Sequence, residues 1–218
     1  MITPGELAES ILAEIDEFLQ SARANLAAHE AAVKHYAEMV RALQSAQPPQ
    51  YAPVKYHSQW DADATKYRND CGPACLRMIL DYKGVDVTTD ELAMACGMSP
   101  DKAYTTGPDI ERVASQYGVT MHAVAYQDFN YFIQRTPCVV LVHYGSIPIT
   151  ERQDPYEGGH FLVLLSVGNG SAFYHDPDWQ RERRDEGAFR QLDLSTFKKA
   201  MDDCYIDGNP SGYGVVLA

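Results

Sequence analysis

From residue 12 to residue 43, apolar side chains recur in alternating steps of three and four: Leu12, Ile15, Leu19, Ala22, Leu26, His29, Val33, Tyr36, Val40 and Leu43. This is a heptad seam, and only His29 departs from its apolar or aromatic character. The 43 residues between Pro4 and Pro48 contain no proline and include 11 alanines, together with Leu, Glu, Gln and Met, all strong helix formers. Thr3-Pro4-Gly5-Glu6 reads as a capping box with proline in the first turn, and Gln47-Pro48-Pro49-Gln50 ends the helix. The pattern predicts a single helix of about 60 Å at 1.5 Å per residue, or a helical hairpin folded near 25–29. Its apolar stripe needs a partner, because an isolated helix is marginal in water. Two partners fit: the chain's own domain, or another helix in a coiled coil, through self-association or partner-helix binding over residues 12–43.

Beyond residue 50 the pattern changes. Only Gly5 lies before position 72, and the other 14 glycines follow it. Cys71–Tyr82 reads as a helix ended by Gly84. Thr88-Thr89-Asp90-Glu91 caps a second helix that stops at Gly97, and Gly107-Pro108-Asp109 opens a third that stops at Gly118. Strands are predicted over 119–125, 138–144, 160–167 and Ser171–His175, the last two joined by the hairpin signal Gly168-Asn169-Gly170. A helix over 192–201 and a terminal strand over 213–217 complete the pattern. Helices come first and an antiparallel sheet second, which is an α+β order. The expected organisation is a helical arm (1–47), a Pro-rich linker (48–55) and a mixed domain (56–218).

Charge narrows the function classes. The net charge is −12 over 218 residues, which argues against nucleic acid or an anionic membrane as partner. The first 47 residues hold 3 basic and 7 acidic side chains, or −4, leaving −8 on the remainder. The acidity is therefore general and does not come from a tail. No apolar run approaches the roughly 20 residues of a membrane span. The start, MITPGELAES, lacks the basic and apolar regions of a signal peptide, so a cytoplasmic location is expected. Five cysteines without paired spacing are no disulfide framework and leave room for a working thiol.

Three motifs carry chemistry. In Asn69-Asp70-Cys71-Gly72-Pro73-Ala74-Cys75 a cysteine stands where a loop turns into a helix. Helix-end N–H groups and the macrodipole there favour a thiolate, the nucleophilic form. Gly72 lets a substrate backbone approach. The competing reading is a buried structural cysteine. In Gly158-Gly159-His160-Phe161 a histidine opens an apolar strand, with Leu162 and Leu164 on its face. In His175-Asp176-Pro177-Asp178-Trp179 an acid follows the paired strand, so the hairpin returns Asp176 toward His160. Thiol, imidazole and acid are the parts of a cysteine hydrolase, although a strand-end histidine and an Asp-Pro turn have ordinary structural uses too. Trp60 and Trp179 flank these residues; Trp179 is either a shield over the His160–Asp176 pair or a packing residue.

The run Tyr56-His57-Ser58-Gln59, then residues 69–80, Gly84, Gly159-His160-Phe161 and Asp176-Pro177, with 16 residues from His160 to Asp176, resembles the C39-like branch of the papain-like cysteine peptidases. The resemblance spans about residues 53–205. It implies a papain-like fold in which the helix carrying Cys71 packs on an antiparallel sheet carrying His160 and Asp176. It also implies a peptide or isopeptide substrate, a thioester acyl-enzyme, and an oxyanion hole built from Gln59 and the Cys71 N–H, with Asn69 as the alternative to Gln59. Gly159 and Trp60 are expected at the substrate. No cofactor and no metal ligand set is implied. Acyl transfer to an amine on the same scaffold and a non-catalytic module acting through its helical arm are the rival functions.

Overall fold

The structure is a computed structural model. It describes residues 51–64, 69–153, 155–206 and 209–218, together with 15, 18–23, 25–26, 29–30 and 32–36. Two compact units are present, Met1–Pro48 and Pro49–Ala218. In the first, the described residues are helical, and Ile15, Phe18, Leu19, Leu26, Val33 and Tyr36 expose their side chains. The His29 ring bonds the Asn25 carbonyl at 2.8 Å through Nδ1, one helical turn back. Seam positions 12, 40 and 43 and the capping segments at 3–6 and 47–50 lie outside the described residues, as do 27 and 28, on which the choice between one helix and a hairpin falls.

The second unit opens with helix α1 (Cys71–Tyr82), ended by Gly84 at φ +81°. Helices α2 (Thr89–Ala95) and α3 (Gly107–Gln116) each begin with a complete capping box, Thr88 with Glu91 and Thr106 with Asp109. A six-stranded antiparallel sheet follows. Its strands are β1 (Met121–Val124), β2 (Cys138–His143), β3 (Gly159–Gly168), β4 (Ser171–His175), β5 (Arg190–Asp193) and β8 (Gly214–Leu217), in the order β1-β8-β2-β3-β4-β5. A separate two-stranded ribbon pairs β6 (Tyr205–Ile206) with β7 (Asn209–Pro210).

Alternation along the strands separates two cores. Val139, Phe161, Val163 and Val215 face Leu76, Ile79, Leu92 and Ile110 of the first three helices. Val140, Val142, Leu162, Leu164 and Tyr174 face the opposite side, against Phe129 and Phe132 of α4 (Phe129–Ile133) and Phe197, Ala200 and Met201 of α5 (Leu194–Asp202). Burial of both sheet faces explains the almost unbroken apolar run of β3.

Several predicted boundaries move. The strand expected over 119–125 is confined to Met121–Val124, since the Val119 N–H still bonds Ala114 and finishes the α3 turn. The strand over 138–144 stops at His143, and Tyr144–Ser146 is a 3₁₀ turn. The helix expected over 192–201 begins at Leu194, because Arg190–Asp193 pairs with β4 and the Asp193 carboxylate caps the helix on Thr196 N at 3.0 Å. Helix α4, capped by Asp128, and strand β5 are absent from the sequence-based pattern.

Candidate active site

The start of α1 and the start of β3 meet beneath a cleft of about 980 Å³. Cys71 is the first residue of α1 and half-buried, and its backbone N–H makes no hydrogen bond among the described residues. Gly72 is required by close approach: a Cβ there would stand 2.9 Å from the Thr105 Cβ. Cys75, one turn on, is fully buried and donates its thiol to the Phe161 carbonyl at 3.3 Å, which ties α1 to β3.

His160 is buried at the base of the cleft. The two-residue turn Asn169-Gly170, with φ of +52° and +73°, folds β4 back along β3. That return places Asp176 Oδ1 2.8 Å from His160 Nε2. Nδ1 is then the nitrogen left for the sulfur of Cys71, which lines the same cleft. Burial by itself pulls the ring's pKa down, but the Asp176 charge, its hydrogen bond and the contact with Cys71 outweigh this and hold it well above the usual imidazole range. Asp176 is completely buried. Burial pushes its carboxyl up, and the His160 charge with hydrogen bonds from His160, Asp178 N and Tyr144 brings it below the ordinary carboxylate range.

Tyr144 has no place in the sequence-derived constellation. Its hydroxyl donates to Asp176 Oδ2 at 2.8 Å, and its ring lies on His160 with centroids 4.3 Å apart. It covers the pair that Trp179 was a candidate to shield. Trp179 is fully buried, with the Arg183 and Arg190 guanidinium groups 4.6 and 4.4 Å from its ring. A polar group ending an apolar strand was the available signal for Tyr144, but its partner lies 32 residues away.

Gln59, Trp60, Asn69 and Gly159 all line the cleft. Gln59 is buried, its Nε2 donating to Asp178 Oδ1 at 3.0 Å, whereas Asn69 is exposed. The Trp60 indole N–H reaches the same Asp178 oxygen at 2.9 Å. Gly159 is exposed at the first position of β3, and its carbonyl accepts from Tyr156 Oη at 3.4 Å. The space before Gly158 is filled by that tyrosine: a Cβ on Gly158 would lie 2.0 Å from Tyr156 Oη. Asp176 does not line the cleft and stands behind His160.

The other four cysteines are buried. Burial raises the thiol pKa of each, to about 12 for Cys96, where Asp109 adds to it. Among the described residues, no helix is long and apolar enough to cross a membrane.

Solved structures share this arrangement of helices and sheet. A double glycine motif protease from an AMS/PCAT transporter, in complex with the leader peptide, is 18% identical, with a TM-score of 0.52 over 78% of this chain and 94% of that one. The peptidase domain of Streptococcus ComA, a bi-functional ABC transporter involved in a quorum sensing pathway, is 19% identical with a TM-score of 0.52, covering 76% and 98%. A C39-like peptidase from Bacillus anthracis is 14% identical with a TM-score of 0.56, covering 77% and 95%. None of the curated proteins matches the chain in sequence. The profile of the Peptidase C39 family matches residues 63–192. That span holds the start of α1, the start of β3 and the end of β4, so the chain belongs to the Peptidase C39 family and is a cysteine peptidase.

Proposed function

We propose that Cys71, His160 and Asp176 form the working triad of this peptidase, acting on a peptide or isopeptide substrate through a covalent thioester. The observation that carries the reading is His160, bonded through Nε2 to the buried Asp176 and lining one open cleft together with Cys71. His160 takes the Cys71 proton as the sulfur bonds to the substrate carbonyl carbon. Negative charge then develops on the carbonyl oxygen, which accepts from the Cys71 N–H and the Gln59 amide. The C–N bond breaks as His160 returns the proton to the leaving amine. A water molecule, deprotonated by the same ring, attacks the thioester and releases the acid and the thiol. Asp176 fixes the ring's orientation and balances its charge. General base catalysis of this type is worth about 10²–10⁴ in rate. The leader peptide bound to one structural neighbour supports a peptide in the cleft here.

The test is mass spectrometry of a diverse peptide mixture incubated with the enzyme. New amide cleavages, and an acyl adduct on Cys71 after an acid quench, are expected. Both are lost in Cys71→Ala and in His160→Ala. Products bearing an added amine in place of water would assign acyl transfer, and no reaction dependent on Cys71 would overturn the proposal.

A further inference from the structure

We infer that Asp178 is a positioning residue that sets the Gln59 amide for the oxyanion and locks it to the triad acid; this rests on the oxyanion role proposed above for Gln59. One carboxylate oxygen of Asp178 accepts from two neighbouring side chains, Gln59 Nε2 at 3.0 Å and Trp60 Nε1 at 2.9 Å. The Asp178 backbone N–H donates to Asp176 Oδ1 at 3.0 Å, the same oxygen that holds His160. A single residue thus bonds the orienting acid through its main chain and the candidate oxyanion donor through its side chain.

The bonds around it make the coupling rigid. The Gln59 N–H donates to the Pro177 carbonyl at 3.0 Å. The Ser58 hydroxyl, fully buried, reaches the carbonyls of Pro177 at 3.1 Å and Trp179 at 3.0 Å. Segments 58–60 and 176–179 are 118 to 121 positions apart in sequence, yet every residue of 58–60 bonds to the other segment. A glutamine side chain has three rotatable bonds, and an amide that must meet a transient oxyanion gains from having them fixed in advance. The amide that Asp178 holds lines the cleft.

The test compares two reactions of the same sulfur. Acylation of Cys71 by p-nitrophenyl acetate passes through a tetrahedral oxyanion; alkylation by iodoacetamide does not. The ratio of their second-order rates, each read at Cys71 by mass spectrometry, isolates the oxyanion hole from the nucleophile. Gln59→Ala is expected to lower this ratio about 100-fold. Asp178→Ala should lower it at least about 10-fold while leaving iodoacetamide alkylation within about twofold, which also shows that the site is folded. The double variant should be no worse than Gln59→Ala, because a residue acting through Gln59 has nothing left to position. Asp178→Asn, whose amide oxygen can take both bonds, should restore the ratio to within about threefold of the unmodified enzyme. An unchanged ratio in Gln59→Ala would remove the oxyanion role of Gln59. A fall in Gln59→Ala with no fall in Asp178→Ala, or additive losses in the double variant, would overturn the positioning role alone.

Discussion

Two buried titratable side chains lie close to the proposed triad in sequence and store opposite pH dependences. Asp70, next to Cys71, has no exposed surface, and neither carboxylate oxygen has a partner among the described residues. Burial, with the charges of Asp90 and Asp178, raises its pKa to about 7. The folded state therefore holds a proton that the unfolded chain releases, and stability falls as pH rises from about 4 to about 7. His175, next to Asp176, accepts from Phe189 N at 3.0 Å and donates Nε2–H to the Val54 carbonyl at 3.0 Å, so its ring is neutral. Burial lowers its pKa to about 4, with His57 adding to the effect. Here the unfolded chain binds the extra proton, and stability rises with pH between about 4 and 6.5. Each slope is at most about 1.4 kcal/mol per pH unit, so in the native protein the two offset each other. Denaturant unfolding from pH 4 to 7 should separate them. Relative to the native protein, Asp70→Asn gains stability as pH rises, and His175→Gln gains it as pH falls. Parallel profiles for all three proteins would show that neither charge is suppressed by folding.

At the scale of elements, legibility followed locality. Helices α1, α2 and α3 and strand β4 can be read from the sequence because their start and stop signals lie within a few residues: Thr88 with Glu91, Thr106 with Asp109, Gly84 after α1, and Asn169-Gly170 between β3 and β4. Strand β5 has one apolar residue, Leu192, and exists because β4 offers it a free edge. Helix α4 is only five residues long, too short for a periodicity to show. The site divides in the same way. Cys71, His160 and Asp176 each sit at the end of an element that the sequence announces. Tyr144 and Asp178 act through tertiary bonds to residues 32 and about 118 positions away, which no local pattern records. The hairpin that carries Asp176 is itself testable. Gly170→Ala places a Cβ at φ +73° and should cost about 1 kcal/mol in denaturant unfolding. Alkylation of Cys71 in the folded protein should be unaffected. A stability loss near zero would mean that the turn tolerates a side chain, and that Asp176 is delivered by the β3–β4 ladder alone.

For the whole molecule, the two cores on opposite faces of one sheet have a functional consequence. The face of β3 that carries Phe161 and Val163 anchors α1, and with it Cys71, while the face that carries Leu162 and Leu164 holds the side on which Tyr144 backs His160. The proposed nucleophile and its proposed base are thus held by separate apolar layers that meet at the start of one strand. The odd count of five cysteines takes on meaning in the same frame: Cys75, Cys96 and Cys138 are sealed in these layers, Cys204 is buried outside them, all four have their thiols pushed up, and of the five Cys71 alone lines the cleft. The most direct test of the account is the pH profile of iodoacetamide alkylation, resolved by peptide mapping for all five cysteines in the folded protein. At about pH 6, well below the ordinary thiol pKa of about 8.5, Cys71 should react at least 100-fold faster than any other cysteine, and His160→Ala should abolish that advantage. Equal rates at all five cysteines, or a Cys71 rate indifferent to the loss of His160, would contradict it.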